Sequence, residues 1–130
     1  GPAARELGFR RMVFSVAAVN RDDHTKNLAF LLPAGGAWQL APAFDVTHAH
    51  NAADGTWTQA HQMSVNGRFD GIGRTDLEAV GDRFAVPGYR SVIGEVLEAV
   101  GRWEEFAARA DVSDDHVARI GADLGRFRPA

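Results

Sequence analysis

The stretch MVFSVAAVNRDDHTKNLAFLL, residues 12–32, decides how this chain is built. Its two ends are apolar, and both read as buried segments. The eight residues between them, NRDDHTKN at 20–27, hold two aspartates, a histidine, two asparagines and the chain's only lysine. Upstream, Leu7, Met12, Val13, Val16 and Val19 recur at helical spacing, which predicts a helix over residues 3 to about 19. Downstream, LAFLL (28–32) and AWQLAP (37–42) flank the Pro/Gly turn PAGG, a pattern that predicts a β-hairpin. The polar octet is therefore a loop held between a helix and a hairpin. A loop held by regular elements at both ends is where binding and catalytic groups concentrate.

Further along, residues 43–74 are rich in Gly, Asn, Asp, His and Thr and predict irregular structure. An irregular segment of that length is usually functional or mobile. From Thr75 the chain turns helical. Thr75-Asp76 can cap DLEAVGDRF (76–84), and Pro87-Gly88 stops it. A single long helix is expected over about residues 89–108, with Val92, Val96, Val100 and Trp103 along one stripe. Ser113 is the natural N-cap of a last helix within VSDDHVARIGADL, residues 112–124. The expected fold is mostly α with a small β-hairpin, and the sequence contains no internal repeat.

Composition narrows the class. At 130 residues the chain has room for one core. Gly1-Pro2 reads as the remnant of a cleaved tag, which leaves 3–130 as a single domain. Zero cysteines exclude disulfides and thiolate metal sites and suit a reducing cytoplasm. No apolar run approaches the roughly 20 residues a membrane span needs, so no membrane partner is expected. A net charge of −3 argues against direct nucleic-acid binding.

The octet carries a spacing with a mechanical meaning. In protein kinases the catalytic loop reads R-D-x-x-x-x-N, where the Asp accepts the substrate hydroxyl proton and the Asn holds magnesium. Here Arg21-Asp22 is followed by Asn27, and the hairpin then delivers Asp45 just beyond its second strand. Magnesium takes hard oxygen ligands and keeps waters, so an amide oxygen, a carboxylate and nucleotide phosphates suffice. The plainer alternative for Asp22 and Asn27 is turn chemistry, for Asp45 a local cap, and Asp23 reads as a solvated neighbour. His48, His50 and His61 lack metal-ligand spacing and read as solvated or core-edge groups. Trp38, Trp57 and Trp103 read as core or lobe-packing residues. DGIG at 70–73 follows no strand and is rejected as a phosphate loop.

Taken together, FSVAAVNRDDHTKNLAFLL, WQLAPAFDVTHAHN and WTQAHQMSVNG resemble the HipA-like serine/threonine kinases, toxin components of bacterial toxin–antitoxin pairs. The D-x-H-x-K-N core stands as Asp22, His24, Lys26 and Asn27, and the resemblance covers nearly the whole chain. It implies the helical C-lobe of a two-lobed kinase fold. It further implies Asp22 as catalytic base, His24 and Lys26 beside the transferred phosphoryl group, and Asn27 and Asp45 as magnesium and nucleotide ligands. ATP and Mg²⁺ are the implied cofactors. The implied partners are a HipB-like helix-turn-helix antitoxin and a protein substrate, an aminoacyl-tRNA synthetase such as the glutamyl enzyme among them.

One departure accompanies the resemblance. A kinase also needs a glycine-rich cover and a phosphate-gripping lysine on an N-lobe strand. Lys26, the only lysine, lies in the octet, and a single helix precedes it. The expectation is a C-lobe that works with an N-lobe from the same or another polypeptide and is inactive alone. Two alternatives stay open: a non-catalytic module that holds an antitoxin or an N-lobe, and a metal-dependent hydrolase using Asp22, His24 and Asp45.

Overall fold

The structure is a computed structural model and describes residues 1–50 and 58–127. The first helix, α1, spans Pro2–Ala17, with Pro at the start, where its missing N–H costs nothing. It buries Phe9, Val13, Val16 and Ala17 on one face. That face packs on α3 (Tyr89–Gly101), which contributes Val92, Ile93 and Val96, and the Phe9 and Tyr89 rings meet edge-on at 6.4 Å. Val65, Ile72, Leu77 and Val86 close the core from the other side. Leu77 belongs to α2, Arg74–Arg83.

The hairpin forms, with corrections. Its strands are β1 (Phe30–Leu31) and β2 (Gln39–Leu40), paired antiparallel with Phe30 opposite Leu40. These strands are shorter than the apolar runs, and the runs are not buried. Phe30 is 61% exposed, Leu32 54% and Trp38 68%. The apolar character of 28–32 therefore records surface that the other described residues leave open, and Trp38 is no core residue. Trp103 is half-buried, its Nε1–H donating to the Val117 carbonyl at 3.0 Å. Trp57 lies outside the described residues.

Two helix boundaries also differ from expectation, and a third holds without its side-chain cap. The N-cap of α2 is Gly73 rather than Thr75, and Asp76 acts from the third position by reaching back to the Gly73 N–H at 2.9 Å. The expected long helix is two, because the chain bends at Arg102 (φ −88°, ψ 20°) between α3 and α4, Trp103–Arg109. Ser113 is the N-cap residue of α5 (Asp114–Leu124), yet its hydroxyl pairs with His116 Nδ1 at 2.7 Å and makes no backbone cap. Among the described residues no helix is long and apolar enough to cross a membrane.

Within the irregular stretch, residues 61–70 form a tight ribbon. Val65 and Arg68 exchange both backbone hydrogen bonds across Asn66 (φ 51°) and Gly67 (φ 75°), the positive-φ pair a two-residue hairpin turn demands. Val65 is 1% exposed, so the ribbon is fastened to the core.

Candidate functional site

The octet begins where α1 ends. Val19 takes a positive φ of 53°, an uncommon state for a β-branched residue, and the chain then runs extended. A parallel bridge to Ala49 fixes its direction: Ala49 N–H donates to the Val19 carbonyl at 3.0 Å and Arg21 N–H to the Ala49 carbonyl at 3.3 Å. In an extended segment side chains alternate. Arg21 and Asp23 turn into the body, with side chains 9% and 5% exposed, while Asp22 at 49% and His24 at 37% face out.

Both members of the inward pair are anchored, although Arg21 Nε is buried with no hydrogen-bond partner among the described residues. The Arg21 guanidinium donates to Asp70 Oδ1 at 3.2 Å, to the carbonyls of Thr58 and Gln59, and to His50 Nδ1 at 3.0 Å. Asp23 Oδ2 lies 2.7 Å from His61 Nδ1, and Oδ1 accepts the Gln62 and Met63 N–H groups at 2.8 and 3.2 Å. A carboxylate only accepts, so His61 carries its proton on Nδ1. Burial on its own would raise the Asp23 pKa. The hydrogen bond from His61, helped by its charge and by the two backbone donors, outweighs burial and holds the carboxyl below its ordinary value. Asp23 is thus no solvated neighbour, and His61 is buried with it.

After His24 the chain tightens into a 3₁₀ turn, Thr25–Asn27, with the Asn27 N–H on the His24 carbonyl at 3.0 Å. The Asn27 side chain donates from Nδ2 to the Asp22 carbonyl at 3.1 Å. That bond commits the amide nitrogen and leaves the oxygen for a ligand. His24 Nε2 stands 3.6 Å from Asp22 Oδ1, beyond hydrogen-bond length. On the other side the hairpin returns through Ala41, whose carbonyl accepts from the Arg11 guanidinium on α1. Asp45 follows, at φ 53°.

These elements enclose a cleft of about 700 Å³. Asn27 and Asp45 both line it, with Asn20, Asp23 and His24. Apolar walls come from Leu7 and Phe14 of α1, Leu28, Phe44, Val46 and Met63. Asp22 and Lys26 are not among its walls. Asp22 is half-exposed beside Asn27, and Lys26 is exposed. Two buried polar atoms of cleft residues, Asn20 Oδ1 and His24 Nδ1, have no hydrogen-bond partner among the described residues. Buried polar atoms are nearly always satisfied, so the polar end of the cleft is suited to a hydrogen-bonding ligand.

The remaining histidines are occupied separately, His48 Nε2 with Asp123 Oδ2 at 2.9 Å and His50 with Arg21. Among the described residues no three His, Cys, Asp or Glu side chains are grouped to hold a metal. Of the oxygen groups lining the cleft, Asp23 is committed to His61 and two backbone N–H groups and Glu95 to Arg10 and Ser91. That leaves the Asn20 and Asn27 amides and the Asp45 carboxylate, hard oxygen donors of the kind magnesium takes. DGIG is structural: Asp70 meets Arg21, Ile72 is 1% exposed and Gly73 caps α2.

Asn20 and the Asp23–His61 pair escaped the sequence reading. The last spans 38 residues, and no local spacing signals it.

A family model described as HipA-like C-terminal domain matches residues 2–124. No curated protein and no solved structure matches the chain. The matched range runs from the first residue of α1 to the last of α5, so it takes in the octet, the hairpin and Asp45 alike. The chain belongs to the HipA-like C-terminal domain family.

Proposed function

We propose that this domain is the kinase-like C-lobe of a HipA-like serine/threonine kinase toxin and supplies its catalytic base and magnesium ligands. One observation carries the reading: Asn27, from the loop after α1, and Asp45, from beyond the hairpin, line a single cleft although 18 positions separate them. In this reading the Asn27 amide oxygen and the Asp45 carboxylate hold Mg²⁺. The ion would neutralise charge on the phosphates of bound ATP.

The chain's own residues do the rest. Asp22 lies outside the cleft walls and half in solvent, where the hydroxyl of a protein substrate can reach it and give up its proton. Its backbone is fixed by the Asn27 amide, so base and metal ligand are positioned by one hydrogen bond. Lys26, exposed on the same turn, offsets negative charge on the transferred group, and His24 donates or accepts beside it. The nucleotide clamp comes from an N-lobe on the same or another polypeptide. A helix-turn-helix antitoxin and a protein substrate, an aminoacyl-tRNA synthetase being one candidate, complete the proposal.

The test uses Mn²⁺ as a paramagnetic stand-in for Mg²⁺, titrated to millimolar concentration against the ¹⁵N-labelled chain. Selective broadening of the Asn27 and Asp45 amides, abolished by Asp45→Ala, is the expected result. Broadening spread over the acidic surface, or unchanged by Asp45→Ala, would overturn the assignment.

The exposed hairpin favours a second reading, a non-catalytic module that holds a partner through Phe30, Leu32 and Trp38. Partner binding unaltered by the combined Asp22→Ala, Asn27→Ala and Asp45→Ala variant would favour it.

A further inference from the structure

We infer that the ribbon 61–70 is a template that sets the position of the loop at 20–27, and that His61 is its positioning residue. The two inward side chains of the loop grip the two ends of this one ribbon. Asp23 is held by the His61 ring and by the N–H groups of Gln62 and Met63, at 2.7, 2.8 and 3.2 Å. Arg21 is held by Asp70 at 3.2 Å. The ribbon is itself rigid, closed by His61 N–H on the Phe69 carbonyl at 2.8 Å and by the Val65–Arg68 pair, and seated on the core through Val65.

The two contacts have opposite polarity, and this fixes register. A slip of the loop by two residues would set the Arg21 guanidinium against the His61 N–H, donor against donor, and strand a buried charge. Asp22 and His24 are each one peptide from Asp23, so the clasp that immobilises residue 23 fixes both outward groups. For a base that must meet a hydroxyl, a misplacement of about 1 Å can cost roughly a hundredfold in rate.

That the outward groups do chemistry rests on the function proposed above, whereas the clasp does not. The experiment separates the two. Amide hydrogen exchange is measured by NMR on the full chain for wild type, His61→Phe, His61→Asn and Asp23→Asn, together with Mn²⁺ broadening at Asn27 and Asp45. In His61→Phe, exchange at Asn27, Gln62 and Met63 rises about tenfold more than at Ile93 and Val96 in the core of α3. His61→Asn, whose side-chain N–H can stand where Nδ1–H stood, recovers most of that protection. The Mn²⁺ concentration for half-broadening rises several-fold in His61→Phe and returns in His61→Asn.

Exchange that rises equally in loop and helix, or that His61→Asn leaves unrescued, would overturn the clasp. Should His61→Phe fail to fold, Asp23→Asn, which keeps the shape and loses the charge, decides by the same loop-to-helix comparison. If wild type shows no Mn²⁺ response at Asp45, the proposed function falls, while the exchange contrast still decides the clasp.

Discussion

Asp23 and Asp76 are buried carboxylates that accept hydrogen bonds on both oxygens. Asp76 takes the Gly73 N–H on Oδ2 and the Asn66 amide on Oδ1, each at 2.9 Å. The Gly73 and Asn66 donors outweigh burial, with Arg68 adding to them, and hold its pKa below the ordinary value, as His61 does for Asp23 against burial. In both cases the unfolded chain binds the proton more tightly than the folded one, so stability rises with pH through that window. It is fully present above the ordinary carboxylate range and is lost as pH falls through the lower folded values, below about pH 4. Urea denaturation from neutral to acid pH should show this as a falling midpoint. Asp23→Asn and Asp76→Asn should each start lower at neutral pH and fall less in acid, and an unchanged acid slope in both would refute the assignment. Legibility divides along the same residues. Asp22, Asn27 and Asp45 stood out because their spacing is local to one loop and one hairpin, and of the three Asn27 and Asp45 line the cleft while Asp22 does not. Asp23, between two motif positions, looked like a bystander, since its partner lies 38 residues away and burial cannot be read from one acidic letter.

Two helical glycines show why elements are only partly legible. Gly94 in α3 has open space where a Cβ would go, with nothing within 4 Å. Gly81 in α2 faces Tyr89, and a Cβ there would fall on the ring, 2.6 Å from Cδ2. Both are unremarkable in the sequence pattern. Gly94→Ala should stabilise the chain by about 1 kcal/mol through helix propensity alone. Gly81→Ala makes the same propensity gain but forces the Tyr89 ring out of a core position, at a cost of about 1–3 kcal/mol. Urea midpoints for the pair should therefore move in opposite directions, and a shift of the same sign in both would contradict this packing. The sequence pattern predicts four helices where the described residues form five α-helices, and it misses the bend at Arg102 because Val92, Val96, Val100 and Trp103 continue one stripe across it. The bend is tertiary in origin: the Trp103 indole is bonded to the Val117 carbonyl of α5, so α4 packs on α5 rather than extending α3. The hairpin itself was legible, but its exposure was not. Its apolar letters were right for a strand, but only the folded chain shows that Phe30, Leu32 and Trp38 are exposed.

At the scale of the molecule, the same exposure bears on activity. The domain gathers Asn27 and Asp45 on one cleft with Asp22 beside it, and that cleft is open, its apolar walls including Leu28, Phe44 and Val46 at 44–49% exposure. Phosphoryl transfer draws most of its acceleration from positioning and charge stabilisation, and holding reactants in line is worth of order 7–11 kcal/mol. Among the described residues no element is placed to hold the β- and γ-phosphates from above: Lys26 is the only lysine, and β1 and β2 are the only strands described. On the proposed function, ATP that is not gripped samples orientations in which Asp22, Asn27 and Asp45 cannot act on it. The 130-residue chain should therefore show no transfer of radiolabelled γ-phosphate above background, even at high protein concentration, and Asp22→Asn should be indistinguishable from wild type. Steady transfer abolished by Asp22→Asn would show that the cleft positions the nucleotide without help. If an N-lobe polypeptide added in trans restores transfer, the restored activity should vanish with Asp22→Asn and with Asp45→Ala, because on the proposed function the added lobe supplies grip while base and metal ligand come from this chain.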